Sequence, residues 1–211
     1  MVDNSKQIHI IGSNGFIGRS IKKYSKNKNI IYWSHSSKKN FLDIHNEETW
    51  TKLLNQKPAK VLLLSWPGLP NYNSKFHLEI NLPQLIKLIE KLSLNNLKKI
   101  VVTGTCYEYG LLKGQLSEDI NPNPVNQYAI AKNFLRMHLQ KLCEDLKLNW
   151  IWTRLFYTYG PNQNENSLIP SLLKAIENNE KTFNISSGKQ SRDFIHVREV
   201  VNLLLFVINN Q

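Results

Sequence analysis

The glycine-rich segment at residues 12–18 constrains the fold of this chain more than any other feature. It reads GSNGFIG, follows the apolar and β-branched run 8–11, and opens an amphipathic stretch. The pattern predicts a buried strand, a tight turn and a helix in succession. Gly12 permits the turn, Gly15 lets the backbone approach a pyrophosphate, and Gly18 lets the helix pack against the strand.

The start of that predicted helix is suited to phosphate groups. Its free N–H groups and the positive end of its dipole face any anion in the turn. No Gly-Lys-Ser/Thr sequence follows, so the loop indicates a dinucleotide site rather than a mononucleotide P-loop. The candidate cofactor-binding residues in the loop are Gly12, Asn14, Gly15, Phe16, Ile17 and Gly18.

The rest of the chain alternates short apolar runs with longer amphipathic ones. Strands are predicted at 8–11, 30–33, 61–64, 100–102 and from 150, and helices at 16–24, 47–55, 82–94, 127–146, 167–178 and 199–208. This alternation predicts βαβ units and an α/β, doubly wound parallel sheet of the Rossmann type. We find no repeat or linker, so residues 1–211 are predicted to form a single NAD(P)-binding domain.

The charge of the chain has an ordinary explanation. The 211 residues include 27 basic and 16 acidic side chains, a formal net charge of +11. Of the basic residues, 22 are Lys and 5 are Arg, and the lysines are scattered. Nucleic-acid binders usually concentrate their positive charge on one face, so no nucleic-acid partner is expected. A positive surface can instead steer a small anionic substrate towards the protein.

Composition also bears on the compartment. No apolar run approaches the roughly 20 residues of a membrane span. Residues 1–6 have no basic segment followed by a long apolar one, so no signal peptide is expected. Cys106 and Cys143 are too few for a disulfide framework or a metal site, and none is predicted. A cytoplasmic location is the resulting expectation.

The end of the second predicted strand carries information about the cofactor. NAD sites usually place an acid there, whereas this chain has SHSSKK at 34–39. Ser34, His35 and the lysines suit a 2′-phosphate better, which favours NADP over NAD; alternatively the lysines are simply solvated. Further along, Asp43, beside Ile44, either accepts a hydrogen bond from an adenine amine or caps a helix.

Tyr128 and Lys132 are the candidate acid–base pair. Four residues apart, they share a helix face, and an ammonium group beside a phenol is expected to lower the phenol pKa. Thr105 follows the fourth predicted strand, at the sheet edge where ligands bind, and its hydroxyl can meet a substrate carbonyl. Strand-end capping is the alternative for Thr105. Cys106 is not expected to be a nucleophile, because no His lies near it in sequence.

Five segments then appear in an order that is typical of one enzyme family. They are the glycine loop, TGTCYEYG at 103–110, the Tyr128/Lys132 pair, RLFYTYGP at 154–161 and RDFIHV at 192–197. The chain therefore resembles an extended short-chain dehydrogenase/reductase of the NAD(P)-dependent nucleotide-sugar epimerase/dehydratase/reductase family. The resemblance covers residues 8–200.

The resemblance implies a role for individual residues. Thr105, Tyr128 and Lys132 would be catalytic, with Lys132 also holding the nicotinamide ribose. Further cofactor contacts are implied for Leu64, Ser65, Trp66, Asn81, Thr103, Leu155 and Phe156. The nucleotide-sugar substrate would contact Thr105, Cys106, Tyr107, Tyr157 and Arg192, the last through its diphosphate; an ion pair with Asp193 is the structural alternative for Arg192.

Two departures from the family pattern narrow the reaction. Tyr157 stands where the family usually has Asn, which affects substrate orientation. Cys106-Tyr107 replaces the acid pair that family dehydratases carry beside the Thr, so a 4,6-dehydratase is disfavoured. We expect a 4-keto-6-deoxy nucleotide-sugar reductase of surface polysaccharide biosynthesis, with a 4-epimerase as the alternative.

Family members normally continue for roughly another hundred residues. The resemblance thus implies that the C-terminal substrate lobe is largely missing and that only its start, at about 160–211, is present. Three alternatives follow: a fragment, a homodimer whose partner closes the site, or a non-catalytic cofactor-binding or interaction protein. The complete Thr105, Tyr128 and Lys132 set favours an active enzyme, and a homodimer is the expected assembly.

Overall fold

The central sheet holds five parallel strands in the order β2-β1-β3-β4-β5. The computed structural model describes residues 6–210; the expectation about a signal peptide rests mainly on residues 1–5, outside this range. The strands are β1 (Ile8–Ile11), β2 (Ile30–Trp33), β3 (Lys60–Leu63), β4 (Lys99–Thr105) and β5 (Asn149–Leu155). The strand order reverses between β1 and β3, which is where doubly wound sheets bind their ligands. The predicted fold class is confirmed.

Helices cover both faces of the sheet. They are α1 (Phe16–Tyr24), α2 (Thr51–Asn55), α3 (Leu82–Ser93), α4 (Gln127–Leu146), α5 (Leu168–Glu177) and α6 (Val197–Asn209). On one face, α3 and α4 pack on the sheet through buried Leu85, Leu88, Leu135 and Leu139. On the other, α1 and α6 pack through Ile21, Val200 and Leu204. Helix α6 falls within the segment 160–211 predicted as the start of the lobe, but it belongs to the helix layer on this face of the sheet.

Three short turns and a second sheet depart from the predicted elements. The predicted helix 47–55 is a 3-10 turn, Glu47–Trp50, followed by the short α2, because Asn46 caps the turn by accepting from the Glu48 N–H. A π turn, His77–Asn81, precedes α3, and a 3-10 turn, Cys106–Tyr109, follows β4. Two parallel strands, β6 (Tyr157–Tyr159) and β7 (Phe194–His196), were not predicted because three residues show no periodicity.

The predicted boundaries agree best where the apolar period is longest. Helix α4 matches its predicted range, and α1 does too. Strand β4 is longer than predicted and extends to Thr105, because the polar residues 103–105 continue the pairing with β5. Within residues 6–210, no helix has the length and apolar character that crossing a membrane would require.

Candidate active site

The glycine loop joins β1 to α1 and lies against the end of β3. Gly12 has φ +92°, and a Cβ there would stand 2.7 Å from the Ser65 backbone nitrogen. A Cβ on Gly18 would stand 2.6 Å from the Gly12 carbonyl oxygen. Gly15 is different, since a Cβ would meet only that same oxygen, at 3.5 Å. The fold itself therefore requires glycine at 12 and 18 but leaves room at 15.

A cavity of about 250 Å³ opens at the carboxyl ends of β1, β2 and β3. Its lining includes six residues predicted for the cofactor: Gly12, Ser34, His35, Asp43, Ile44 and Ser65. The hydroxyl oxygens of Ser13 and Ser34 are buried there or beside it without a hydrogen-bond partner. Helix α1 also begins without a side-chain cap. Buried polar groups normally have partners, so this region suits a polar ligand with phosphate groups.

Asp43 does not cap a helix. Its Oδ1 accepts from the His45 N–H at 2.9 Å, and Asn46 instead caps the following turn. The capping alternative for Asp43 is therefore wrong, while its place in the cavity lining agrees with the cofactor alternative. His45 and Pro67 also line the cavity, and no motif in the sequence indicated them.

The loop after β2 is tied to the glycine loop through Asn14. Its amide donates to Ser36 Oγ and accepts from Lys22 Nζ. Burial and the nearby Arg19 lower the pKa of Lys22. Neither Lys22 nor Arg19 was predicted from the sequence, although their spacing on α1 places them on one helix face beside the loop. Lys22 and Arg19 thus place positive charge beside the loop after β2, and residues 34–39 of that loop contain no carboxylate.

Asn81 and Leu64 lie below the cavity. Asn81 is fully buried at the end of the π turn; its amide donates to the Pro67 carbonyl at 2.8 Å and its Oδ1 lies 2.7 Å from His45 Nε2. It therefore orients two cavity-lining residues. Leu64 follows β3 and donates its N–H to the Ile11 carbonyl at 2.9 Å. Leu155 and Phe156 lie at the end of β5, beside a second, apolar cavity along that free strand edge.

Thr105, Tyr128 and Lys132 come together at the end of β4. All three side chains are buried, and Thr105 lies close enough to the Tyr128 phenol to lower its pKa. Lys132 Nζ donates to the Thr103 carbonyl at 2.7 Å and lies 4.2 Å from the centre of the Trp66 ring. Asn126 caps α4 by accepting from the Ala129 N–H, which fixes the turn that carries Tyr128.

The pKa shifts at this site are dominated by burial. Burial lowers the pKa of Lys132 to about 7, with the Glu108 carboxylate opposing the change. Burial raises the pKa of Tyr128, and the neighbouring Thr105 opposes that rise. The expected lowering of the Tyr128 pKa by Lys132 is wrong for this structure. The ammonium lies 6.0 Å from the phenol ring centre and donates to Thr103 instead.

An aromatic enclosure surrounds the Tyr128 ring. The ring centres of Trp66, Tyr72 and His77 lie 5.7, 5.8 and 5.5 Å from it. Tyr72 also accepts the Tyr128 N–H at its carbonyl oxygen, at 2.9 Å. Neither Tyr72 nor His77 was predicted, because the loop that carries them has no recognisable period.

The predicted substrate residues continue this enclosure outward. Tyr107 lies 5.2 Å from Tyr72 and 6.4 Å from Tyr157, ring centre to ring centre. The Arg192 guanidinium stacks 4.4 Å from the Tyr157 ring centre and donates to Gln190, so the alternative of an ion pair with Asp193 is not what forms. Cys106 is half-buried here, and burial raises the pKa of its thiol.

Among residues 6–210, no cluster of three or more His, Cys, Asp or Glu side chains is arranged to hold a metal ion. The site holds hydroxyl groups and cations, which come from Thr105, Tyr128, Lys132 and Arg192. Such an arrangement can bind a carbonyl oxygen, transfer a proton to it, and attract a phosphate.

Comparison with known proteins points to one family. The model of the NAD dependent epimerase/dehydratase family matches residues 8–211. The chain is 30% identical over 207 residues to the dTDP-6-deoxy-L-talose 4-dehydrogenase (NAD(+)) of Aggregatibacter actinomycetemcomitans. That match covers 92% of this chain and 76% of the other protein.

Solved structures show the same fold. UDP-glucuronic acid 4-epimerase from Bacillus cereus, in complex with UDP-glucuronic acid and NAD, superposes with a TM-score of 0.83 at 21% identity, covering 97% of this chain and 74% of that one. RMD from Pseudomonas aeruginosa, complexed with NADPH, superposes with a TM-score of 0.81 at 19% identity, covering 96% of this chain and 74% of that one. At these identities the likeness is one of fold.

Proposed function

Because this chain belongs to the NAD-dependent epimerase/dehydratase family, we propose that it is an NAD(P)-linked oxidoreductase that reduces a nucleotide-activated 4-keto-6-deoxy sugar in surface polysaccharide biosynthesis. The observation that carries the proposal is the buried cluster of Thr105, Tyr128 and Lys132 at the end of β4. The similar A. actinomycetemcomitans protein is named as a 4-dehydrogenase of a 6-deoxy sugar, which is the same reaction in reverse.

The cofactor would lie along the carboxyl edge of the sheet. The unpartnered Ser13 and Ser34 hydroxyls, the uncapped α1 and the space at Gly15 fit a dinucleotide. We assign it the residues Gly12, Asn14, Gly15, Phe16, Ile17, Gly18, Ser34, His35, Asp43, Ile44, Leu64, Ser65, Trp66, Asn81, Thr103, Tyr128, Lys132, Leu155 and Phe156. The Lys22–Asn14–Ser36 contacts, with Arg19 beside them, favour NADP over NAD.

The chain's own residues would handle the proton and the developing charge. A bound nicotinamide supplies the hydride exchanged with sugar carbon C4. Thr105 donates a hydrogen bond to the C4 oxygen, and Tyr128 gives that oxygen a proton as it becomes an alkoxide. The raised pKa of Tyr128 keeps the phenol protonated, which suits a general acid in the reductive direction. Lys132, whose Nζ donates to the Thr103 carbonyl, would hold the ribose.

The sugar nucleotide would lie against the aromatic enclosure. We assign it Thr105, Cys106, Tyr107, Tyr157 and Arg192. The Tyr107 and Tyr157 rings offer an apolar surface to a 6-deoxy carbon, and the Arg192 guanidinium offers planar donors to a diphosphate. We propose that residues 160–196, between the sheet and α6, form the start of the substrate-binding lobe.

Turnover of a defined sugar nucleotide tests the proposal. Purified protein is incubated with dTDP-6-deoxy-L-talose and NADP⁺ or NAD⁺, and reduced nicotinamide is followed by fluorescence. We expect NADPH or NADH to accumulate with wild type, and at least about 100-fold less with Tyr128→Phe. Phe134→Tyr, at a half-exposed position of α4, is the matched control. Absence of turnover with both cofactors contradicts the proposal.

The same incubation separates the two alternative functions. An epimerase retains its cofactor and changes the C4 stereochemistry without net NAD(P)H release, which chromatography of the sugar nucleotide detects. A non-catalytic cofactor-binding protein binds NADPH and changes neither reactant. The expected result for the reductase is stoichiometric exchange between cofactor and sugar.

A further inference from the structure

Glu108 is a fully buried carboxylate one turn beyond Thr105. Among the described residues it is the only acid that is completely buried. Its Oε1 accepts from the Thr105 N–H at 2.9 Å, and its Oε2 accepts from Arg154 Nε at 3.0 Å. Trp152 Nε1 donates to both oxygens, at 3.0 Å each. A buried carboxylate with this many donors is held in one position.

The contact with Thr105 is part of a capping box. Thr105 caps the 3-10 turn Cys106–Tyr109, and Thr105 Oγ1 accepts from the Tyr107 N–H at 3.3 Å. Because that oxygen already accepts, the hydroxyl hydrogen is free to be donated, and Thr105 lowers the pKa of the neighbouring Tyr128 phenol. The Glu108 carboxylate therefore fixes the main chain from which the Thr105 hydroxyl projects.

Arg154 holds the carboxylate from the neighbouring strand. Its guanidinium also donates to Tyr109 Oη at 3.2 Å and to the Glu118 carbonyl at 3.3 Å. Gly104 makes the approach sterically feasible, since a Cβ there would stand 2.5 Å from Glu108 Oε1 and 2.1 Å from Trp152 Nε1. Strand β5 and the loop before α4 are thus joined to the end of β4.

We propose that Glu108, held by Arg154, is the positioning residue of this site, which sets the Thr105 hydroxyl in its orientation towards Tyr128. A second effect follows from the same place in the fold. The Glu108 charge raises the pKa of Lys132 against the larger effect of burial. The competing explanation is that Glu108 and Arg154 only neutralise each other's charge in the protein interior, as many buried ion pairs do, and have no part in placing Thr105.

Two variants distinguish these explanations. Glu108→Met leaves the Arg154 charge unpaired and lowers stability as well as activity. Glu108→Met/Arg154→Met removes both charges together with the acceptor of the Thr105 N–H, and is expected to recover most of the stability. If Glu108 positions Thr105, kcat in the double variant stays about 100-fold below wild type while KM for the cofactor changes little. Recovery of kcat together with stability overturns the proposal.

The matched control is a variant that is destabilised at a distance from Thr105 and Tyr128. Leu139→Ala opens a cavity on α4, three turns beyond Tyr128, and removes no polar contact. At a temperature where both variants are folded by circular dichroism, Leu139→Ala is expected to keep the wild-type kcat. An equal kcat loss in Leu139→Ala would show that any destabilisation suffices, and would contradict a positioning role for Glu108.

A readout without turnover keeps this proposal separate from the proposed function, on which its kinetic test rests. Cys106 lies in the turn that Glu108 fixes, and in a Cys143→Ala background it is the only thiol. We expect iodoacetamide to alkylate Cys106 about 10-fold faster in the double variant than in wild type, because the released turn exposes the thiol. An unchanged rate overturns the proposal even if wild type turns over no sugar; a faster rate supports it in either case.

Discussion

At the residue scale, the grouping of Thr105, Tyr128 and Lys132 could be predicted, but its electrostatics could not. The i, i+4 spacing of Tyr128 and Lys132 and the strand-end place of Thr105 are visible in the sequence, and the structure brings all three together. The direction of the Tyr128 pKa shift was wrong because it depends on burial by Trp66, Tyr72 and His77. Trp66, Tyr72 and His77 lie between β3 and α3, far from α4 in the sequence. The sequence pattern therefore does not show that they pack around Tyr128.

Lys132 makes stability depend on pH. Its pKa is about 7 in the folded protein, against an ordinary value of 10.5. Between these values the unfolded chain binds more protons, so the free energy of unfolding rises with pH from about 7 to 10.5. We expect Lys132→Met to remove this part of the rise, measured by urea denaturation across the range. Lys174→Met, at an exposed position, should leave the slope unchanged, and a Lys132→Met slope equal to wild type would contradict the assignment.

Gly15 provides a test of the cofactor site that does not disturb the fold. A Cβ at this position makes only an ordinary contact, at 3.5 Å, so Gly15→Val should fold while its side chain fills the space proposed for the pyrophosphate. We expect NADPH binding, followed by nicotinamide fluorescence, to weaken at least about 100-fold. Leu94→Val, at an exposed position at the end of α3, is the control. Wild-type affinity in Gly15→Val would place the phosphates elsewhere.

At the scale of elements, segments with an apolar pattern of their own were predictable, including the short strands β1 and β2, whereas segments held only by tertiary contacts were not. The buried positions of α4 recur at helical spacing, so its bounds follow from the sequence. The β6–β7 pair and the π turn before α3 are held by tertiary contacts, such as the Asn81 bonds to Pro67 and His45, and have no local signature. His77, at the start of that π turn, contributes one of the rings around Tyr128.

Helix α4 tests how an element supports the site. Asn126 caps its first turn through the Ala129 N–H at 2.9 Å, two residues before Tyr128. We expect Asn126→Ala to lower the free energy of unfolding by about 1 kcal/mol, measured by urea denaturation, and to lower kcat as the first turn frays. Asn126→Ser keeps a capping acceptor and should recover both. An Ala variant as stable as wild type would show that the Tyr72 carbonyl suffices to hold this turn.

At the scale of the whole molecule, the net charge of +11 predicts salt-dependent association with anionic ligands. Added salt shortens the range of the field, so the association rate of NADPH should fall as ionic strength rises, while the dissociation rate changes less. Stopped-flow fluorescence at low and high salt measures both rates. Arg192→Gln, on the substrate side, should leave the NADPH rates nearly unchanged. A salt-independent association rate would show that the scattered lysines do not steer the ligand.

The order of strands in the sheet also governs how the chain can acquire its structure. Every neighbouring pair is parallel, so each pairing must wait for a crossover to be synthesised and closed, and no hairpin is available as an early nucleus. Strands β1, β2 and β3 lie within the first 63 residues, yet their core is completed by Leu85, Leu88 and Leu135 from α3 and α4. During synthesis, strands β1, β2 and β3 are therefore made long before the helices that stabilise them. Their apolar side chains remain exposed until α4 has been synthesised.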